Sequence, residues 1–205
     1  MPLIMLIRHG ENDYVKEHRL PGRLPGIHLN KQGRKQAKRV AEFLKPVPIK
    51  AVYSSPLERT METAKPVADV HGLMVIPRQG LIETDVGKWA GKRIKKLQEK
   101  KAWRNIQIHP SRFRFPGGES IEDSQYRFVH EIEELAETHA SQDMIVCVSH
   151  SDPIKLVVAY YLGLPLDMYQ RLNISPASIT PLMIGESGSR LLALNYDLSL
   201  TFTKH

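Results

Sequence analysis

The chain has 205 residues, 41% hydrophobic and 25% charged, with 29 Lys and Arg against 22 Asp and Glu for a formal charge of +7. This size supports one sizeable core, and the composition excludes a disordered chain. The longest apolar runs, residues 1–7 and 144–148, fall far short of the ~20 residues of a bilayer span, and the first shows no signal-peptide pattern, so no membrane partner is expected.

Cys147 is the only cysteine, which leaves no intrachain disulfide and no multi-cysteine metal site and fits a reducing, cytoplasmic setting. In chain order, residues 3–8 form a short apolar run closed by a polar turn and predict a buried strand. Over 31–44, Ala37, Val40, Ala41 and Leu44 recur at helical spacing, with Asn30 as the N-cap. A second strand is expected at 51–54. Pro56 is expected in the first turn of the next helix, which runs to about Val70. Residues 74–77 predict a third strand. Residues 119–138 predict a helix opened by Ser120 and Asp123 as a capping-box variant. The clearest strand is 143–149, and the helix after it runs through Leu162 and stops at Gly163. Segments 178–184 and 190–195 read as a hairpin around Glu186, Ser187 and Gly188.

Strands alternating with helices imply an α/β fold: a three-layer α/β/α sandwich with a mostly parallel central sheet. A single domain over 1–205 is expected, with an insertion at about 88–118 overhanging the carboxyl edge of the sheet. Its basic residues (Lys88, Lys92, Arg93, Lys95, Lys96, Lys100, Lys101 and Arg104) form either a solvated helix face or a mouth attracting an anionic substrate. No nucleic-acid motif accompanies them, so no nucleic-acid partner is expected. Trp89, Trp103, Phe113 and Phe115 either close over a substrate or anchor the insertion to the body.

Two of the expected strands end in histidine, at His9 and His150, and the helix after 51–54 carries Arg59 in its first turn. Ligands of parallel sheets bind outside the carboxyl ends of the strands. Each residue alone has an ordinary structural explanation, and Glu83 alone reads as a loop carboxylate. Arg8, His9, Arg59 and His150 at one sheet edge instead describe a dianion pocket: arginine forks match phosphate oxygens, and helix N-termini add N–H groups. Histidine is also a competent nucleophile toward phosphorus when one ring nitrogen is held and the other is free.

The segment from Leu6 to Glu11, Leu-Ile-Arg-His-Gly-Glu, resembles the RHGE signature of the histidine phosphatase (phosphoglycerate-mutase-like, branch 1) superfamily. Residues 54–64 resemble its SSxLxRTxxTA segment, residues 81–91 its LxExxxGxWxG segment, and 148–150 its VSH strand end. Gly33, Gln36 and Ala37 match its GxxQA helix start. The resemblance implies His9 as the phosphorylated nucleophile, Arg8, Arg59 and His150 as phosphoryl ligands, and Glu83 as general acid and then base, with no cofactor and no metal. It points to a metal-independent phosphomonoesterase acting on a small phosphate ester. A phosphoglycerate-mutase-type phosphotransferase and a non-catalytic phospholigand binder are the alternatives.

The chain departs from the family pattern at Asn12, where Thr or Ser is usual, and at Val15, where a phosphate-binding Asn is usual. Asn12, His18 and Arg23 are the candidate substitutes. Ser151 and Asp152 replace two glycines, and Asp152 either caps the following helix ahead of Pro153 or orients a catalytic histidine. The C-terminal strand and tail would suit a homodimer.

Overall fold

A computed structural model describes residues 1–185 and 188–198. β1 (Leu3–Arg8), β2 (Ile49–Ser54), β3 (Val75–Pro77), β4 (Met144–Ser149), β5 (Ile179–Gly185) and β6 (Gly188–Leu191) form one mixed sheet in the order β3-β2-β4-β1-β5-β6. β1, β2, β3 and β4 pair in parallel, whereas β5 and β6 are antiparallel to their neighbours. The helices are α1 (Asp13–Lys16), α2 (Lys31–Leu44), α3 (Glu58–Val70), α4 (Ile94–Gln98), α5 (Lys101–Ile108), α6 (Ile121–Glu137) and α7 (Ser151–Tyr161).

The two-residue period of the central strands divides the core. Ile4 and Leu6 of β1, with Ile145 and Cys147 of β4, face Phe128 and Ile132 of α6 and Ile154 and Val157 of α7. Met5, Ile7, Val146 and Val148 point the other way, onto Val40 and Leu44 of α2 and Ala64 and Val67 of α3. Both faces are covered, which is why these strands read as continuous apolar runs. The expected three-layer α/β sandwich with a mostly parallel sheet is therefore present, β5 and β6 forming its antiparallel edge.

Several boundaries differ from expectation. α3 begins at Glu58 with Leu57 as its N-cap, so Pro56 precedes the helix instead of sitting in its first turn. The reason is that the Ser55 N–H still bonds the Val148 carbonyl at 2.9 Å, and the chain must clear the sheet before it coils. β6 ends at Leu191, where 190–195 was expected; the chain then arches away, and Tyr196 returns to Ile179 with N–H···O contacts of 2.8 and 3.0 Å. Of the expected turn, Glu186 and Ser187 lie outside the described residues, as does the tail beyond Leu198. The capping box of α6 is formed as expected, Ser120 and Asp123 bonding each other's backbone N–H.

In the 88–118 segment, Trp89, Phe113 and Phe115 are buried with Leu97, Ile106, Leu156 and Tyr169. Trp89 stacks on Trp103 with centroids 5.9 Å apart. These aromatics anchor the segment to α7. Its lysines and arginines are exposed, as a solvated face requires.

The loop after β1 is pressed against the first turn of α2. A Cβ on Gly33 would collide with the Glu11 backbone, and one on Gly10 with that of Gly33. Gly33→Ala is expected to lower the unfolding free energy by about 1–3 kcal/mol, the cost of overpacking; alanine at an unhindered helical site would instead add roughly 0.5–1 kcal/mol. Urea unfolding of the two proteins reads the sign directly.

Candidate active site

Strand register brings the chemistry together. Arg8 pairs with Ser149 and Ser54 with Val148, so the next residues, His9, His150 and Ser55, leave the sheet side by side. The His9 N–H donates to the Ser149 carbonyl at 2.9 Å. The His9 ring, 2% exposed, lies 5.3 Å from the His150 ring in an edge-to-face arrangement. His9 Nδ1 is 2.7 Å from the Gly10 carbonyl. A carbonyl can only accept, so Nδ1 carries the proton and Nε2 keeps its lone pair. Burial, then the charges of Arg59 and Arg8, hold the His9 pKa well below its ordinary value. The ring is neutral near pH 7.

His150 is fully buried, and burial followed by Arg59 lowers its pKa as well. Arg59 Nη2 stands 3.2 Å from His150 Nδ1, and His150 Nε2 stands 2.9 Å from Ser55 Oγ. A guanidinium has no lone pair to offer, so His150 Nδ1 accepts and Nε2–H donates to Ser55.

The two arginines are only partly engaged. Arg8 Nη1 donates to the Ile174 carbonyl at 2.6 Å, and Arg59 Nη2 also donates to the Gly22 carbonyl at 2.8 Å. Arg8 Nε, and Arg59 Nε and Nη1, are buried donors without a hydrogen-bond partner among the described residues. Buried polar groups are nearly always paired, so unpartnered donors call for an explanation. Thr63 ties the two halves together, accepting from the Gly10 N–H at 3.0 Å and donating to the Arg59 carbonyl at 2.7 Å.

Glu83 follows the short helical turn Gln79–Leu81 and has a side chain only 13% exposed. Its Oε1 accepts from the Thr84 N–H at 2.9 Å, and its Oε2 lies 3.7 Å from His150 Nδ1. Burial, with the charge of Asp152 second, raises its pKa to about 7 against the opposing pull of Arg59, the Thr84 N–H and Arg8. A cleft of about 290 Å³ opens over His9, Arg8 and Glu83, with Arg19 and Asp152 also in its wall. The site thus holds a neutral buried imidazole, two cationic forks and a carboxyl that is protonated in part at neutral pH.

The family model of the histidine phosphatase superfamily (branch 1) matches residues 4–197. The chain belongs to that family. It is 32% identical over 202 residues to phosphoserine phosphatase 1 of Hydrogenobacter thermophilus, covering 98% of this chain and 95% of that protein. It is 31% identical over 181 residues to a 2,3-bisphosphoglycerate-dependent phosphoglycerate mutase of Thermoplasma acidophilum, covering 88% and 86%. Among solved structures, a mycobacterial glucosyl-3-phosphoglycerate phosphatase solved with VO3 superposes with a TM-score of 0.85 at 28% identity, over 94% of this chain and 98% of that one. This is a family of phosphatases and related mutases.

Within this family fold, the structure places the candidate substitutes for the missing asparagine separately. Val15 and His18 line the cleft. Asn12 is buried and caps α1, its Oδ1 accepting from the Val15 N–H at 2.9 Å, while its Nδ2 is a buried donor without a partner among the described residues. Arg23 does not face the cleft floor: its Nε donates to the Glu83 carbonyl at 2.7 Å and its Nη2 pairs with Glu119 at 2.7 Å. These two bonds give Arg23 a structural role on one side of its guanidinium, where a phosphate role was expected. Asp152 is not a helix cap. His150 holds the N-cap position of α7, and Asp152 lies inside the first turn.

Two further residues, Glu119 and Arg127, escaped the sequence reading. Arg127 Nη1 donates to the Gly80 and Ile82 carbonyls at 2.7 and 2.9 Å, and Glu119 accepts from Arg127, Arg23 and the Asp85 N–H. Together they hold the backbone on both sides of Glu83. The one available signal was Arg127 on the α6 face that also carries Ser124, three residues earlier.

Burial pushes the Glu119 pKa up, but Arg127, the Asp85 N–H and Arg23 outweigh it and leave it below the ordinary value. A lowered folded-state pKa contributes stability above the unfolded pKa of about 4.3 that is lost as pH falls further. Glu119→Gln is therefore expected to be less stable than the wild type near pH 7 and to lose less stability on acidification through that range. Urea unfolding at a series of pH values measures both.

Proposed function

We propose that this chain is a metal-independent phosphomonoesterase that hydrolyses a small phosphate ester through a phosphohistidine at His9. The observation that carries the reading is the neutral, buried His9 with its Nε2 lone pair free, beside three unpartnered arginine donors. That combination fits a phosphoryl group: the donors supply hydrogen bonds and positive charge to its oxygens, and Nε2 supplies the nucleophile.

In the first step Nε2 attacks phosphorus and the P–O bond to the alcohol breaks. The leaving alkoxide takes the proton of the Glu83 carboxyl, and the Gly10 carbonyl stabilises the cationic ring through Nδ1–H. In the second step Glu83, now a carboxylate, removes a proton from water as the water oxygen attacks phosphorus. The P–N bond breaks, inorganic phosphate leaves, and Glu83 is again protonated. Arg8 and Arg59 hold the phosphoryl oxygens throughout, with His150 beside them, positioning and neutralising charge as phosphoryl transfer requires. Because the cations come from arginine, the chemistry needs no metal.

The hydrolytic reading is preferred to mutase chemistry because the phosphoserine phosphatase relative aligns over more of this chain than the mutase relative does. Two of the relatives are named for phosphate esters of three-carbon acids, phosphoserine and phosphoglycerate, and the cleft of about 290 Å³ suits a substrate of that scale.

Wild type is expected to hydrolyse p-nitrophenyl phosphate in EDTA, and His9→Ala to be inactive. Retained turnover by His9→Ala would remove the covalent mechanism, and silencing by EDTA would remove the metal-free one.

Glu83→Gln is expected to slow hydrolysis of alkyl phosphates by about 10²–10⁴-fold, the usual worth of a general acid, and that of p-nitrophenyl phosphate far less. In the wild type, kcat/KM for alkyl esters should fall as pH rises through about 7, where Glu83 loses its proton. That limb should vanish in Glu83→Gln. Equal losses on both ester types would take the acid role from Glu83.

A further inference from the structure

The net charge of the chain is confined to one short segment. Of its 29 basic and 22 acidic residues, the stretch 88–104 holds eight and one, which leaves 21 of each sign elsewhere. The segment carries the whole +7. All eight cations are exposed, and none forms an ion pair or a side-chain hydrogen bond among the described residues.

Backbone bonds seat this segment at the mouth of the cleft. The Ile94 N–H donates to the His18 carbonyl at 2.8 Å, the Leu20 N–H to the Lys92 carbonyl at 3.0 Å and the Gly91 N–H to the Leu20 carbonyl at 2.6 Å. His18, Leu20 and Ile94 stand in the wall of the cleft that holds His9, Arg8 and Glu83. Lys92, Arg93, Lys95 and Lys96 each lie within two positions of Ile94, at most ~7 Å of backbone. Trp89, Leu97 and Ile106 are buried from the same segment, which fixes these charges at the rim.

Exposed cations add little to stability, but like charges gathered at the mouth of a cleft act together at a distance. A cleft edged by one sign of charge focuses the field and raises the local concentration of solutes of opposite sign. We propose that the segment 88–104 is an electrostatic funnel for the anionic substrate, drawing phosphate esters toward His9 before Arg8 and Arg59 make contact. The inference rests on the phosphomonoesterase reading and adds a capture step to it. Arg8 and Arg59 act at hydrogen-bond range inside the site. The rim acts over the Debye length, which grows from ~3 Å at 1 M salt to ~30 Å at 0.01 M. A face that only solvates the segment would leave substrate capture the same with or without its charges.

The test compares two triple variants with the same change in net charge. Lys92→Gln/Lys95→Gln/Lys96→Gln removes three cations at the rim. Lys38→Gln/Lys45→Gln/Lys50→Gln removes three exposed cations from α2, its C-cap and the start of β2, away from the carboxyl edge of the sheet. Glutamine and lysine have similar helix propensities, and neither set makes an ion pair among the described residues, so both variants should fold. At ~0.01 M salt the rim variant is expected to lose about three- to tenfold in kcat/KM for p-nitrophenyl phosphate, through KM and with kcat unchanged. The control variant should stay within about twofold of wild type, and at ~1 M salt the rim variant should converge with wild type. The same comparison with inorganic phosphate, its Kd read by calorimetry, needs no turnover.

A rim variant equal to wild type at low salt overturns the inference. So does a control variant that loses as much, since net charge alone would then account for the effect. A loss in kcat that persists at ~1 M salt also overturns it, by revealing a contact role in place of a field. If no His9-dependent hydrolysis is found, the phosphomonoesterase reading falls, while a phosphate Kd that weakens at low salt only in the rim variant still sustains the funnel.

Discussion

The parallel register of β1 against β4 is the constraint on which the site depends. With Arg8 opposite Ser149, the two chains turn out of the sheet at the same level, and the His9 N–H takes the Ser149 carbonyl as its partner. A slip of one residue would exchange the two faces of β1 and send Ile4 and Leu6 into the α2/α3 layer. Apolar packing on both sides of the sheet therefore sets the position of His9 relative to His150. The core enforces the register that the chemistry uses.

Burial then does a second job. The interior that packs the strands also surrounds His9, His150, Arg8, Arg59 and Glu83, and each responds according to its charge. The histidines lose basicity and remain neutral, whereas Glu83 gains proton affinity. The result is a separation of charge states that suits the proposed roles: an imidazole that is not protonated beside a carboxyl that is protonated in part near pH 7. Unpartnered arginine donors beside them cost folding stability, as buried unsatisfied groups do. The rest of the molecule offsets that cost with well-packed layers, and with the Arg23, Glu119 and Arg127 network that secures the loop around Glu83.

The histidines just past the strands, the arginine that ends β1 and the arginine at the start of α3 were legible because each sits at a fixed offset from a periodic apolar run. Glu83 was legible only through the motif resemblance, since its loop has no periodicity. Arg23 was less legible for a related reason: an arginine in a loop announces a cation but not its partner, and here one partner is Glu119, 96 residues away. The aromatics of the 88–118 segment were ambiguous because burial and substrate contact favour the same side chains. Their packing on Leu156 and Tyr169 decides for anchoring.

By itself the sequence determined the alternation of strands and helices, the two faces of the central strands, the capping of α2 and α6, and the family. These follow from local periodicity and cap chemistry, which short windows record. Only the tertiary structure decided which tautomer His9 holds, which arginine donors stay free, and that Asp152 shares a cleft with His9. It also decided that β6 stops at Leu191 and that Pro56 precedes α3. The tautomer depends on how the loop after β1 presents the neighbouring Gly10 carbonyl; the others depend on groups distant in the chain meeting at close range, down to the ~3 Å of a hydrogen bond, and no local pattern encodes such a meeting.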